Sequence, residues 1–296
     1  MPLRRSTVRG REFGDAIRAL LRVANLTNRA AAELLGWQEA KLSDLVNGKG
    51  GTTEIELAQL LGLCRTPPTE FAHLMALYHE TNEKDWLQHK PSNALWNQRT
   101  LGEQEKLADE VIYLSLNVIH GQLQIPEYIR HLVPASGTPA DQTEAVIEHR
   151  KQRQEVLSWH PKLTFFMQEH ALRLPVGGDE VMSRQLHHLL RLAVRPSITL
   201  RIIPTPIGCH PGITGDFSLL KFEKPVENIV FLESVGVKVI LEDKATVGHY
   251  ETIATSLERL ALSAEASREL ITDIIDETCL PLPSCAELST DRRAVG

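Results

Sequence analysis

Cysteine is scarce in this chain of 296 residues: there are 4, Cys64, Cys209, Cys279 and Cys285, and no two stand in a C-x-x-C spacing. That excludes a disulfide framework and the usual zinc spacings, and it makes a reducing cytoplasm the natural setting. No metal and no cofactor are expected. Long apolar runs are missing too. The most apolar stretch near mid-chain, Val111 to Ile119, is broken by Ser115 and Asn117 and falls well short of the ~20 residues that span a bilayer. The opening MPLRRSTVRGREFGD is basic but has no apolar stretch behind it, so no secretory signal and no membrane partner are expected. Catalytic signatures are absent: there is no G-x-S-x-G, no H-E-x-x-H and no dinucleotide fingerprint. The glycines around Lys49 imitate a phosphate loop, but Ser43 stands where the first glycine is required and Gly50 where a hydroxyl must follow the lysine. The expectation is a protein that is not an enzyme.

What is present is ordinary in amount and uneven in placement. Hydrophobic residues make up 42% and charged residues 24%, as in common globular proteins, and the length suits two domains of ~100–200 residues. The net charge is -6, yet residues 1–66 carry +3 and the remainder −9. A basic head on an acidic body fits a small nucleic-acid-binding module joined to something larger.

The head reads as helices. Phe13, Ile17, Leu20, Leu21 and Ala24 recur at three- and four-residue steps between Arg9 and Asn25, the stripe of an amphipathic helix. Thr27 is placed to cap an alanine-rich second helix, Asn28 to Leu35, which Gly36 ends. A third helix, Gln38 to Val46, follows a very short turn and closes at Asn47-Gly48. Thr52 or Thr53 caps a fourth, through Leu60, and a fifth spans Thr69 to Tyr78.

Two short helices across a glycine turn, bracketed by others, make a helix-turn-helix pattern, and the spacing T-x(8)-G-x(5)-L-x(4)-N-G is specific. Residues 9–78 resemble the phage-repressor or XRE type of this domain through Leu26-Thr27, Ala32, Leu35-Gly36 and Asn47-Gly48. The resemblance implies that the helix Gln38–Val46 enters the major groove of double-stranded DNA, with Gln38, Glu39, Lys41, Ser43 and Asp44 facing it. It places Thr27 and Asn28 at the phosphates, and Arg9, Arg11, Lys41 and Lys49 are available for the same backbone. Asn28 replaces the usual glutamine, and Glu39 and Asp44 put acids where such helices are seldom acidic.

Beyond Tyr78 the pattern changes. Residues 80–104 are polar, with Trp86, Pro91 and Trp96, and read as a linker. Strands are expected at Val111–Ile119, Leu163–Met167, Ile198–Ile203, Phe217–Phe222, Ile229–Leu232 and Val237–Leu241. Helices are expected through Leu132, over Gln142–Leu157 and Asp179–Ala193, then at Lys244–Leu262 and Glu265–Thr278. The expected fold is α + α/β: a five-helix helix-turn-helix domain (1–79), the linker (80–104), a larger mixed α/β (α+β) domain (105–279) and a disordered tail (280–296).

Five phrases in order give this half a second resemblance. They are Gly121 to Tyr128, Arg150-Lys151-Gln152-Arg153-Gln154, Glu169 to Gly178, His210-Pro211-Gly212 and Leu241-Glu242-Asp243. They resemble the domain called DUF5753, carried by many actinobacterial XRE-type regulators; Gln122 and Ile125 depart from its usual Leu and Thr. The resemblance implies a regulator, often beside a small acidic partner protein, and supplies no ligand. A homodimer is expected because a two-fold dimer matches the near-palindromic half-sites that helix-turn-helix domains read, with the larger domain giving the dimer contact and a pocket for a small-molecule effector or a docking face. Gln124, Tyr128, Glu169, Arg173 and His210 are the candidate effector or partner residues. Cys209 beside His210 suggests either a thiol–imidazole pair or a loop histidine next to an unrelated thiol. Glu169 and Arg173, one turn apart, suit an ion pair. The function expected is a dimeric DNA-binding transcriptional regulator. The alternative is an antitoxin-like module that docks a small protein, with DNA binding secondary; the acids of the reading helix motivate it.

Overall fold

The computed structural model describes residues 6–80, 86–89, 98–223, 226–234 and 237–279. Five helices come first: α1 (Val8–Val23), α2 (Asn28–Leu35), α3 (Glu39–Val46), α4 (Glu54–Leu63) and α5 (Pro68–Glu80). Three of them start on a threonine. Thr7 accepts from the Gly10 amide, Thr27 from Ala30 and Thr53 from Glu56, each satisfying an amide that has no partner inside its own helix. Of the two threonines before α4, Thr53 is the cap, and the Glu56 side chain accepts from its backbone in return to complete a capping box. The stripe from Phe13 to Leu21 is buried against Ala31, Ala32, Leu42, Leu45, Leu57, Leu60, Leu61 and Leu74.

The chain continues through β1 (Trp86–His89), α6 (Gln98–Leu107), β2 (Glu110–Ser115), α7 (Pro126–Ala135), α8 (Thr143–Gln154) and α9 (Val156–Trp159). It then forms β3 (Leu163–Gln168), α10 (Glu169–Arg173), α11 (Asp179–Ala193), β4 (Ile198–Ile203), β5 (Phe217–Lys221), β6 (Ile229–Ser234) and β7 (Val237–Leu241). Two helices follow, α12 (Lys244–Leu260) and α13 (Ala264–Cys279). The fold is α+β with a helical head, as expected.

The described residues fall into two compact units. The first holds those up to 89 with those of 98–108 and 219–250, and the second those of 109–218 and 251–279. The expected boundaries at 79 and 105 differ from this division. In the first unit β7 pairs antiparallel with β1 and with β6, Val239 standing opposite Leu87 and Leu232. In the second, β2, β3 and β4 run parallel, with Tyr113 opposite Phe165 and Phe165 opposite Leu200. Parallel neighbours need long crossovers, supplied here by α7–α9 and by α10–α11. β2 and β3 are buried almost throughout, which is why they read as continuous apolar runs.

Several expectations need correction. The stretch taken as linker contains β1 and most of α6. The helix was hidden because Gln104 and Glu105 are among its buried residues, so no apolar stripe marks it. The strand expected to reach Ile119 stops at Ser115, where the Leu116 amide leaves the ladder and donates to the Asp216 carboxylate. The helix expected over Gln142–Leu157 breaks at Glu155, and Glu169–Arg173, read only as a compact phrase, is α10. The expectation for 280–296 lies outside the described residues.

Candidate nucleic-acid interface

The α2–turn–α3 unit is set by local chemistry. Gly36 takes φ +67°, a conformation cheap only for glycine, and the Trp37 amide returns to the Ala32 carbonyl at 2.8 Å. The chain then enters α3 at Gln38, which is the N-cap rather than a helical residue and makes no side-chain capping bond. Leu42, Leu45 and Val46 are buried, so Gln38, Glu39 and Ala40 are left exposed at the start of the helix.

The polar side chains of α3 behave differently from one another. The Lys41 ammonium lies 5.0 Å from the centre of the Trp37 ring and is paired with Glu56. This hydrogen bond, with the Thr53 amide, draws the Glu56 carboxyl down to about 2. Lys41 therefore ties α3 to the start of α4 and is only partly exposed. Asp44 sits 3.7 Å from Lys49, and Ser43 accepts from Asn47 at 3.3 Å. Thr27 is exposed and Asn28 half-buried at the start of α2.

Two of the arginines expected at phosphates are turned inward. Arg9 is buried and bonded to Glu12 at 3.0 Å. Arg11 donates to the Gln104 side chain at 2.8 and 3.1 Å, lies over the Phe222 ring and sits in a buried setting that lowers its pKa. Charge alone suggested the surface, whereas the first turn of α1 is packed against other parts of its unit. A cation that sequence reasoning passed over is Arg29, exposed directly after Asn28. Its signal was its place: the second residue of α2, beside the capping Thr27.

In the second unit, the candidate effector residues fall into separate places. Gln124 is buried, donating to the Ile119 carbonyl at 2.6 Å and accepting from Arg150. Tyr128 is buried nearby; burial pushes its hydroxyl up, while the Ile119 backbone and Arg150 pull the other way. Gln154 and Gln185 bond the backbone of the same segment, at the Gln124 and Leu123 carbonyls. His120 packs 4.4 Å from the Tyr113 ring and 5.3 Å from Phe165. Burial first, then Arg153 and Arg150, lowers it to about 3.

Glu169 forms the expected pair with Arg173 at 2.7 Å, accepts from the Thr205 amide at 2.9 Å, and Arg173 reaches on to Glu277. Burial raises the Glu169 carboxyl, but the Thr205 amide and Arg173 outweigh it and hold it below the ordinary value. His210 is 4% exposed, with Nε2 3.0 Å from the Gln168 side chain, while Cys209 is exposed. That arrangement favours the loop histidine over a thiol–imidazole pair.

No helix among the described residues is long and apolar enough to cross a membrane. A family model described as a helix-turn-helix domain matches residues 12–74, covering α2, the turn and α3. A second, described as a domain of unknown function, DUF5753, matches residues 98–273. No curated protein matches the chain. With more than half of its length matched by the second model, the chain belongs to the DUF5753 family and carries a helix-turn-helix domain ahead of that region.

Proposed function

We propose that the protein is a DNA-binding transcriptional regulator of the phage-repressor type, acting in the cytoplasm as a homodimer. The observation that carries this is the α2–turn–α3 unit, which leaves Gln38 and Glu39 exposed and free of capping duty at the leading end of α3. A glutamine amide suits adenine in the major groove and a carboxylate suits the cytosine amine. Arg29, Lys49 and the start of α2 supply contacts to phosphate. A two-fold dimer would match two half-sites one helical turn apart. The family domain binds a small effector or a partner protein and shifts the balance of binding; no catalytic step is included.

The deciding experiment is binding of the full chain to the duplex upstream of its own gene across a salt series, beside Gln38→Ala and Arg29→Ala variants. Selective binding that weakens with salt, with selectivity lost in Gln38→Ala and the salt slope reduced by about one in Arg29→Ala, supports the proposal. Weak, unselective binding equal in all three proteins would sink it. One observation favours a second reading, an antitoxin-like module docking a small protein. Glu39 and Asp44 give α3 two acids, while its lysine is tied to Glu56. Recovery of a small basic-faced protein on the wild-type chain, lost in Glu39→Lys, would support that reading.

A further inference from the structure

α1 has no acidic residue in its first turn, although a negative charge there would complement the helix dipole. The charge comes from elsewhere in the same compact unit. The Val8 amide donates to Glu242 Oε1 at 2.7 Å, a charge-assisted bond to a residue just past the end of β7. Val8 is the first residue of α1, and Thr7 already takes the Gly10 amide, so hydroxyl and carboxylate share the unpaired amides of that turn. One turn on, Arg11 is bonded to Gln104 and lies 5.6 Å from the centre of the Phe222 ring. The beginning of α1 is thus fixed by Gln104, Phe222 and Glu242, all within the stretch matched by the DUF5753 model.

The other side of the same helix has no slack against the reading helix. A Cβ on Gly10 would run into the Gly48 carbonyl, and one on Gly14 into the Val46 carbonyl. Gly48 itself takes φ +72° with the Arg11 and Gly10 backbone directly over it. Ser6 donates to the Asn47 carbonyl at 2.8 Å and Arg18 to the Asn47 side chain at 2.7 Å. Backbone packed on backbone cannot absorb a shift by changing rotamers. A displacement at the start of α1 therefore passes to the C-terminal end of α3, whose middle is held to α4 through Lys41 and Glu56.

We propose that Glu242 is a positioning residue for the reading helix, acting through α1, so that the family domain sets the pose of α3 without touching DNA. The consequence for DNA rests on the DNA-binding reading; the mechanical link does not.

The test uses the full chain in four forms: wild type, Glu242→Ala, Glu242→Gln and Asp243→Ala. Asp243 is the control because it caps α12, accepting from the Thr246 amide at 3.0 Å. Amide hydrogen exchange is read at Val8 and Gly10 and at Asn47 to Lys49. Affinity is read on a duplex enriched from a random pool by the wild-type protein. Loss of a cap should raise exchange about fivefold at both sites and weaken the duplex about fivefold in Glu242→Ala. Glu242→Gln, which keeps an acceptor oxygen, should restore most of both. Asp243→Ala should lower the thermal midpoint without moving Asn47 to Lys49. Faster exchange confined to α1, or an affinity loss in Glu242→Ala no larger than in an Asp243→Ala protein of equal midpoint, overturns the proposal. If the wild type enriches no duplex, the DNA-binding reading fails. Exchange at Asn47 to Lys49 then decides the positioning role alone: accelerated in Glu242→Ala it stands, unchanged it falls.

Discussion

The helical head and the segment from Ile119 to Ile125 face the same problem, irregular backbone that must be held still, and meet it by different means. In the head the irregular pieces are short: threonine hydroxyls cap α1, α2 and α4, and left-handed Gly36 and Gly48 follow α2 and α3. The interior that remains is almost wholly apolar. After β2 the backbone is held by distant amides instead. Gln185 alone serves two groups, donating to the Leu123 carbonyl and accepting from the Ile125 amide, both at 2.8 Å. Local caps spread the load over many weak bonds, whereas a buried amide concentrates it, so removing one should strand two backbone groups at once.

That contrast can be broken by mutation, and the largest effect should come from the head's tightest packing. Gly14→Val drives a branched side chain into the Val46 carbonyl and should cost about 3 kcal/mol or more in denaturant unfolding; a neutral result would mean that α1 and α3 are not in close contact. Gln185→Leu keeps the volume but leaves the Leu123 and Ile125 groups buried and unmade, at a cost of about 2–3 kcal/mol, read as faster exchange confined to residues 119–125. A global loss without that local signature would contradict the division of labour. The next effect is one of pH. His120 titrates at about 3 when folded and near 6.5 when unfolded, so the unfolded chain binds the extra proton and stability falls with pH between those values. From pH 7 to pH 5 the loss should be about 2 kcal/mol, and His120→Phe should flatten that limb, measured by unfolding at both pH values. The smallest effect belongs to a single local cap: Thr53→Ala should cost about 1 kcal/mol. It should also loosen the Glu56 carboxylate from the start of α4, seen as a rise in its titration midpoint by NMR.

The same contrast governs what could be read in advance. α2, α11, β4 and β7 are written in the sequence because Thr27, Gly36 and the apolar periods act on near neighbours. α6 was not legible, since its buried face includes Gln104 and Glu105, whose role depends on residues far along the chain. At the candidate interface the helix itself was legible from its turn and its closing Asn47-Gly48, but the partners of the nearby cations were not. Lys41 belongs to α4's cap, and Arg9 and Arg11 belong to the interior of the first unit. No local pattern says that an arginine has a glutamine 93 positions away as its acceptor.

At the leading end of α3, the side chains of Gln38, Glu39 and Ala40 are exposed, while the contacts that fold the helix are made by Lys41, Leu42, Leu45 and Val46. The positions open to inherited variation are therefore separate from those that the fold requires. If α3 reads DNA as proposed, descendants of this sequence can exchange one binding site for another through three adjacent codons and keep the same architecture.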